Sequence, residues 1–336
     1  MMEQLTASVV IPTYNRIDSL RRLLESLDRQ TLKPECYEVI VVDDGSIYDP
    51  GEVTNQPYRF ALTYLRQENR GATIARNFGA QQTRGEVLVF IDDDIAVTEK
   101  TLEALVEACS GDRKVVAVGK LIACNINMAS SFTKLAVEEE NKRGNIDLIT
   151  NKPINFVACN TQLLAVKRTD FIELGMLQDP TGGWPNWDDV DFGYRAHLAG
   201  FQLVRVAGAV GEHWDYSLSS LNSATQRWYR ASKSAVRLFQ RYPGLKQSIP
   251  MFVDMTPIKW REDPPRLIVR KCLRKMISSK TMLALMERFV VLLDQNYSSP
   301  TVLRPLYRWI EGAYKYQGYQ QGLREFGSIP EPGYAA

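Results

Sequence analysis

The chain has 336 residues, 45% of them hydrophobic and 24% charged, with a formal net charge of +2. That length fits one large domain or two unequal ones at roughly 100–200 residues each. The composition is that of a soluble globular protein and excludes a disordered or fibrous chain. The small total charge hides an asymmetry. Residues 1–224 carry 22 Lys+Arg and 31 Asp+Glu, a net of −9, whereas residues 225–330 carry 19 and 7, a net of +12. An acidic body suits bound cations, and a basic segment suits an anionic partner such as a membrane surface. Cysteines stand at 36, 109, 124, 159 and 272 with no Cys-x-x-Cys pair. This argues against a disulfide framework or zinc site and for a reducing, cytoplasmic setting. The start, MMEQLTASVVIPTYN, lacks the basic and long apolar regions of a signal peptide. No apolar run reaches the roughly 18–20 residues that span a bilayer, so any membrane contact is expected to be peripheral.

Ser8–Ile11 is a β-branched apolar run stopped by Pro12. A helix-period segment follows from Ile17 to Gln30, with Leu20, Leu23, Leu24 and Leu27 on one face. Val39–Val42 has no polar alternation, as expected of a strand buried on both faces, and ends in Asp43-Asp44-Gly45-Ser46. Leu62–Leu65 reads as a third strand, Gly71–Gln82 as a helix, Val87–Ile91 as a fourth strand and Thr98–Ser110 as a helix. Alternating strands and helices predict an α/β fold with a mainly parallel sheet, whose ligands bind beyond the carboxyl ends of the strands. Further strands are expected at Val115–Val118, Leu163–Val166 and Gln202–Val206, with a helix from Val190 to Gly200. Beyond Ser217 the pattern is helical over 219–242, 265–279, 280–295 and 301–325. The expected division is a catalytic domain over 1–216 and a basic, mainly helical region over 217–336.

Asp92-Asp93-Asp94 follows the fourth strand. Three adjacent carboxylates repel one another and need a cation or hydrogen-bond donors. Asp92 and Asp94 face one side of an extended chain, and their hard oxygens suit Mg²⁺ or Mn²⁺. Caps for the next helix are the alternative. Asp44 could accept from a nucleobase or ribose, or Asp-Gly could simply mark a turn. Tyr14, after Pro12, could stack on a base or sit at the rim of the core. Arg76 could neutralise phosphate or pair with the aspartates, or lie on a solvated basic face.

SVVIPTYNR, VIVVDDGS, ENRGATIARNFGA and VLVFIDDD occur in that order at successive strand ends. Over about residues 7–215 the chain thereby resembles family 2 glycosyltransferases of the GT-A (Rossmann-like) fold. The resemblance implies a sheet flanked by helices that binds a nucleotide-sugar donor, UDP-linked first of all. Pro12 and Tyr14 would line the base and Asp44 would meet its edge. Arg76 would sit near the site, Asp92 at the ribose or the metal, Asp93 among the nucleotide-sugar contacts or turned elsewhere, and Asp94 on a Mn²⁺ or Mg²⁺ ion.

Trp184-Pro185-Asn186-Trp187-Asp188-Asp189-Val190-Asp191 looks like the family's W-G-G-E-D-x-(D/E) segment, with Pro185-Asn186-Trp187 in place of small residues. It implies donor or acceptor contacts for Trp187 and Asp188 and the general-base role for Asp189. The plain alternative for Asp189 is a carboxylate at a helix N-terminus. The resemblance likewise makes His213 a metal ligand and Asn160 a contact near the donor sugar. It implies inverting transfer to a glycan or lipid-linked acceptor hydroxyl. A non-catalytic nucleotide-sugar-binding partner and a nucleotidyltransferase are the alternatives. The basic helices of the last third could face anionic lipid or cap the catalytic domain. No nucleic-acid motif is present.

Overall fold

The computed structural model describes residues 5–124, 130–143, 151–181, 186–296 and 299–330. Trp184 and Pro185 lie outside the described residues. The chain forms two compact units. One holds residues 1–124, 140–179 and 188–214, the other 125–139, 180–187 and 215–336.

In chain order the elements are β1 (Ala7–Thr13), α1 (Ile17–Leu27), β2 (Tyr37–Asp43), α2 (Gly51–Thr54), β3 (Ala61–Arg66), α3 (Ala72–Gln81), β4 (Val87–Ile91), β5 (Ile95–Val97), α4 (Thr101–Cys109), β6 (Val115–Ala123), α5 (Ser131–Arg143), β7 (Lys152–Pro153), β8 (Leu163–Lys167), α6 (Arg168–Glu173), α7 (Asp188–Leu198), β9 (Gln202–His213), α8 (Leu221–Arg241), α9 (Leu245–Ser248), α10 (Pro265–Ile277), α11 (Lys280–Asn296) and α12 (Pro300–Phe326).

Among the described residues nine strands form one sheet, ordered β3-β2-β1-β4-β8-β6-β9-β5, with β7 beside β9. β3, β2, β1 and β4 run parallel. β8 enters antiparallel between β4 and β6. β1, β2 and β4 are buried along their whole length, as expected of their Val- and Ile-rich centres. β3 alternates because it is the edge strand. Gly79 lets α3 lie directly on the sheet: a Cβ there would stand 2.6 Å from Val10 Cγ1 and 2.9 Å from Val42 Cγ2.

Several boundaries differ from the sequence expectation. α1 stops at Leu27 because Gln30 turns its amide inward to the Ser26 and Thr98 carbonyls. β9 runs seven residues past Val206, through a register shift opposite Val118 and Lys120, and reaches His213. α7 begins at Asp188, two residues earlier than the apolar pattern alone suggests. In the second unit, α5, α8, α11 and α12 contribute Phe132, Leu135, Ala224, Leu283, Val290, Leu303, Tyr307 and Ile310 to a core of their own. No described helix is long and apolar enough to cross a membrane.

Candidate nucleotide-sugar site

The strand order reverses at β1, which pairs with β2 on one side and with β4 on the other. Crevices at such switch points, beyond the carboxyl ends of the strands, are where open α/β sheets bind ligands. Here the crevice is a cavity of about 300 Å³ lined by Pro12, Tyr14, Asp44, Arg76, Asp92 and Asp93, with Thr13, Arg16 and Ala72.

Its walls are fixed by backbone and side-chain bonds between the strand ends. Asn15 adopts a left-handed conformation (φ 55°), which asparagine tolerates better than most residues. Its N–H donates to Ser46 Oγ at 2.8 Å, and its Oδ1 accepts from the Ile47 N–H at 2.8 Å. The loop after β1 is thereby stitched to the turn after β2. That turn needs Gly45: φ is +83°, and a Cβ would stand 2.9 Å from the Asn69 nitrogen. Asp43 is buried, accepting from the Ser46 N–H and from Tyr64 Oη, each at 2.8 Å. Asp44 accepts from Gln67 Nε2 at 2.6 Å, the Arg70 N–H at 2.9 Å and the Gly71 N–H at 2.8 Å. Its carboxylate holds the loop that leads into α3 while one edge lines the cavity. Tyr14 is about half exposed.

The three aspartates after β4 diverge. Asp92 accepts from the buried Arg76 guanidinium, whose other arm lies 3.5 Å from Asp188 Oδ2. Thr73 Oγ1 donates to the same Asp188 oxygen at 2.9 Å. One face of α3 thus joins the Asp92 strand end to the start of α7. Burial alone would weaken the Arg76 cation, but Asp92 and Asp188 outweigh it, and its pKa is raised. Asp93 turns inward and accepts from Thr13 Oγ1 at 2.8 Å and Arg16 Nη1 at 3.0 Å. Burial pushes its carboxyl up to about 7, despite Arg16 and with Asp94 close by.

Asp94 shares Arg16 Nη1 with Asp93, its Oδ2 accepting at 2.8 Å, while its Oδ1 lies toward β9. The β5–β9 ladder sets Ile95 opposite His213, and the Asp94 carbonyl accepts from the Trp214 N–H at 3.0 Å. His213 Nε2 consequently lies 3.7 Å from Asp94 Oδ1 and 3.3 Å from Gln162 Nε2. Two ligands of one ion, each bonded at about 2.0–2.1 Å, stand roughly 3–4 Å apart. The pair therefore fits a divalent cation. Among the described residues no group of three or more His, Cys, Asp or Glu side chains is arranged to hold an ion. The remaining positions would fall to phosphate oxygens and water, the usual arrangement for Mg²⁺.

Asp189 stands in the first turn of α7, and its Oδ1 accepts from the Val190 N–H at 2.7 Å. α7 lies close against the turn before β8 because Gly193 has no side chain; a Cβ there would stand 2.6 Å from Cys159 Cβ. Asn160 closes that turn, its Oδ1 accepting from the Leu163 N–H at 3.3 Å. Trp187 belongs to the second unit, where its indole N–H donates to the Ala231 carbonyl at 2.7 Å and its ring lies 5.9 Å from Phe252.

Sequence reasoning passed over Arg16, Thr13, Thr73 and Gln162. Arg16 had a signal: it is a cation that closes the SVVIPTYNR strand-end motif.

The family model described as "Glycosyl transferase family 2" matches residues 8–175, half of the chain. An uncharacterized glycosyltransferase of Haemophilus influenzae is 30% identical over 189 residues, covering 52% of this chain and 63% of that protein. The chain thus spans under two thirds of this relative's length. A mannosyltransferase of Pyrobaculum calidifontis superposes with TM-score 0.59 at 16% identity, covering 94% of this chain and 87% of that one. GalNAc-T7 superposes with TM-score 0.56 at 20% identity, covering 88% and 58%. These likenesses show the fold, the GT-A architecture expected from the strand-end motifs.

Proposed function

The chain belongs to glycosyl transferase family 2, and from that premise we propose that it transfers a sugar from a nucleotide diphosphate sugar to an acceptor hydroxyl. The observation that carries the reading is the switch-point cavity, which brings Pro12, Tyr14, Asp44, Arg76 and Asp92 to one wall system, with Asp94 on the Asp92 loop and His213 at the end of β9 beside it. The cavity suits a base against Pro12 and Tyr14, with Asp44 at its edge. Ribose would approach Asp92, with the Asp93 carboxyl behind it.

Asp94 and His213 would hold Mn²⁺ or Mg²⁺. Such an ion supplies neutralisation of the charge that grows on a departing diphosphate. Asp189 is assigned as general base. It takes the acceptor proton as the hydroxyl oxygen bonds to the anomeric carbon and the bond to the diphosphate oxygen breaks. Attack opposite the leaving group inverts that carbon and needs no covalent intermediate. Asp188, held by Thr73 and Arg76, positions the start of α7 so that Asp189 faces the acceptor. Asn160 is assigned to the sugar and acceptor side. The acceptor class is a glycan or lipid-linked hydroxyl, in polysaccharide or glycoconjugate synthesis. The scattered cysteines suit a reducing, cytoplasmic setting.

GalNAc-T7 was solved with UDP, GalNAc and Mn²⁺, and the Pyrobaculum enzyme with GDP-Man and Mn²⁺. The test is therefore a panel of UDP- and GDP-sugars with Mn²⁺ or Mg²⁺, reading nucleotide release with and without acceptors. The reading expects ion-dependent release of a nucleoside diphosphate, UDP first. Release of pyrophosphate would replace it with nucleotidyl transfer, and tight nucleotide binding without release with a binding partner.

A further inference from the structure

α10 mixes cations and apolar side chains on both its inward and its outward side. Its inward side carries two cations beside the half-buried Leu267, Ile268 and Ile277. Lys271 is buried, donating to Asp263 Oδ2 at 2.6 Å and to the Pro257 carbonyl at 2.9 Å. Arg274 lies 4.7 Å above the Trp309 ring and donates to Asp254 Oδ2 at 3.3 Å. The outward face, at helical spacing, carries Val269, Leu273 and Met276, exposed by 57%, 37% and 52%. α11 buries Leu283 and Val290 yet exposes Met282, Leu285 and Phe289 by 39%, 55% and 53%. Just before α10, Trp260 is 72% exposed between Lys259 and Arg261. A helix facing only water places its polar residues outward.

The charge around this apolar surface is predominantly positive. Arg261, Arg266, Lys275, Lys280 and Arg288 are exposed along the same stretch. Its carboxylates are engaged: Glu262 by Lys259, Asp263 by Lys271 and Glu287 by the Tyr314 hydroxyl. A second copy of this face would bring like charges together. A bilayer bearing anionic phospholipid offers the complement to both features, acyl chains for the apolar side chains and phosphates for the cations. A tryptophan beside such a helix is the usual anchor at headgroup depth.

We infer that the α10–α11 face, with Trp260, is a docking surface for an anionic phospholipid bilayer. The helices lie in the interface and do not span it. The inference is independent of the transfer chemistry, because binding is read without donor or acceptor.

The test is flotation of the full chain with phosphatidylglycerol-containing vesicles and with pure phosphatidylcholine vesicles, at low and high salt, with light scattering to give the oligomeric state. The expected result is binding to the anionic vesicles that high salt weakens. Lys275→Glu with Lys280→Glu, and separately Leu285→Ser with Phe289→Ser, should each weaken binding by at least about tenfold. These residues are exposed, so an unchanged circular dichroism spectrum and melting temperature should accompany the loss. Binding that ignores lipid charge or both variant pairs would overturn the inference. So would an absence of binding with a dimer that Leu285→Ser and Phe289→Ser dissolve.

Discussion

Arg16 Nη1 lies 2.8 Å from Asp94 Oδ2, and the same nitrogen lies 3.0 Å from Asp93 Oδ1. One guanidinium therefore bridges two of the three aspartates that follow β4, from a position half open to solvent. It supplies the positive charge that adjacent carboxylates require. A divalent ion on Asp94 would share that role, so Arg16 and the ion compete for the same carboxylate.

Arg16→Gln should lower the stability of the ion-free protein by about 1 kcal/mol, a partly exposed pair being screened. The deficit should shrink when Mn²⁺ and UDP are added, because the ion then compensates Asp94. Melting temperatures of both proteins, with and without ion and nucleotide, measure this. An equal deficit under both conditions would show that Arg16 and the ion do not share Asp94.

Arg76→Ala should be more severe. It removes a buried cation from between Asp92 and Asp188, and breaking such a buried pair costs about 3–5 kcal/mol. Arg76→Lys should recover part of the stability but not the two-armed geometry. Urea unfolding of the three proteins gives the order wild type, lysine, alanine.

Gly79→Val tests the contact between α3 and the sheet. The first added carbon already falls within 3 Å of Val10 and Val42. Overpacking of this kind costs about 1–3 kcal/mol, read as a lower urea midpoint with the slope unchanged.

Glu38 gives a pH dependence with a defined sign. Burial opposes its charge, but Arg84 Nε at 2.9 Å, Arg84 Nη2 at 2.6 Å and Ser8 Oγ at 2.8 Å outweigh it and hold its pKa below the ordinary value. A lowered carboxylate pKa contributes stability above the unfolded value, about 4.3, and loses it as pH falls through the folded value. Arg84→Ala should therefore cost about 1–2 kcal/mol at pH 7 and much less at a pH acid enough to protonate Glu38 in the folded protein. Chemical denaturation at the two pH values measures the difference.

Much of the sheet was legible in the sequence, because β1, β2 and β4 have apolar centres, Val9–Ile11, Val39–Val42 and Val87–Ile91, followed by polar clusters. The strand-end motifs carried Pro12, Tyr14, Asp44 and Asp92 to one cavity. Other features were not legible because they are defined only by partners far along the chain. β5 and β7 are three and two residues long and exist through pairing with β9. β9 extends to His213 through a register shift that no periodicity announces. The Arg16 bridge joins residues 77 and 78 positions apart. Thr73 and Asp188 are 115 apart.

The division of labour among the carboxylates is tested most directly at Asp189. Nucleotide release from the active donor should be measured for wild type and Asp189→Asn with Mn²⁺, alongside the UDP affinity of each. A positioned general base contributes about 10²–10⁴-fold, so the account expects a loss of that size in turnover with unchanged UDP binding. Wild-type turnover by Asp189→Asn would contradict it.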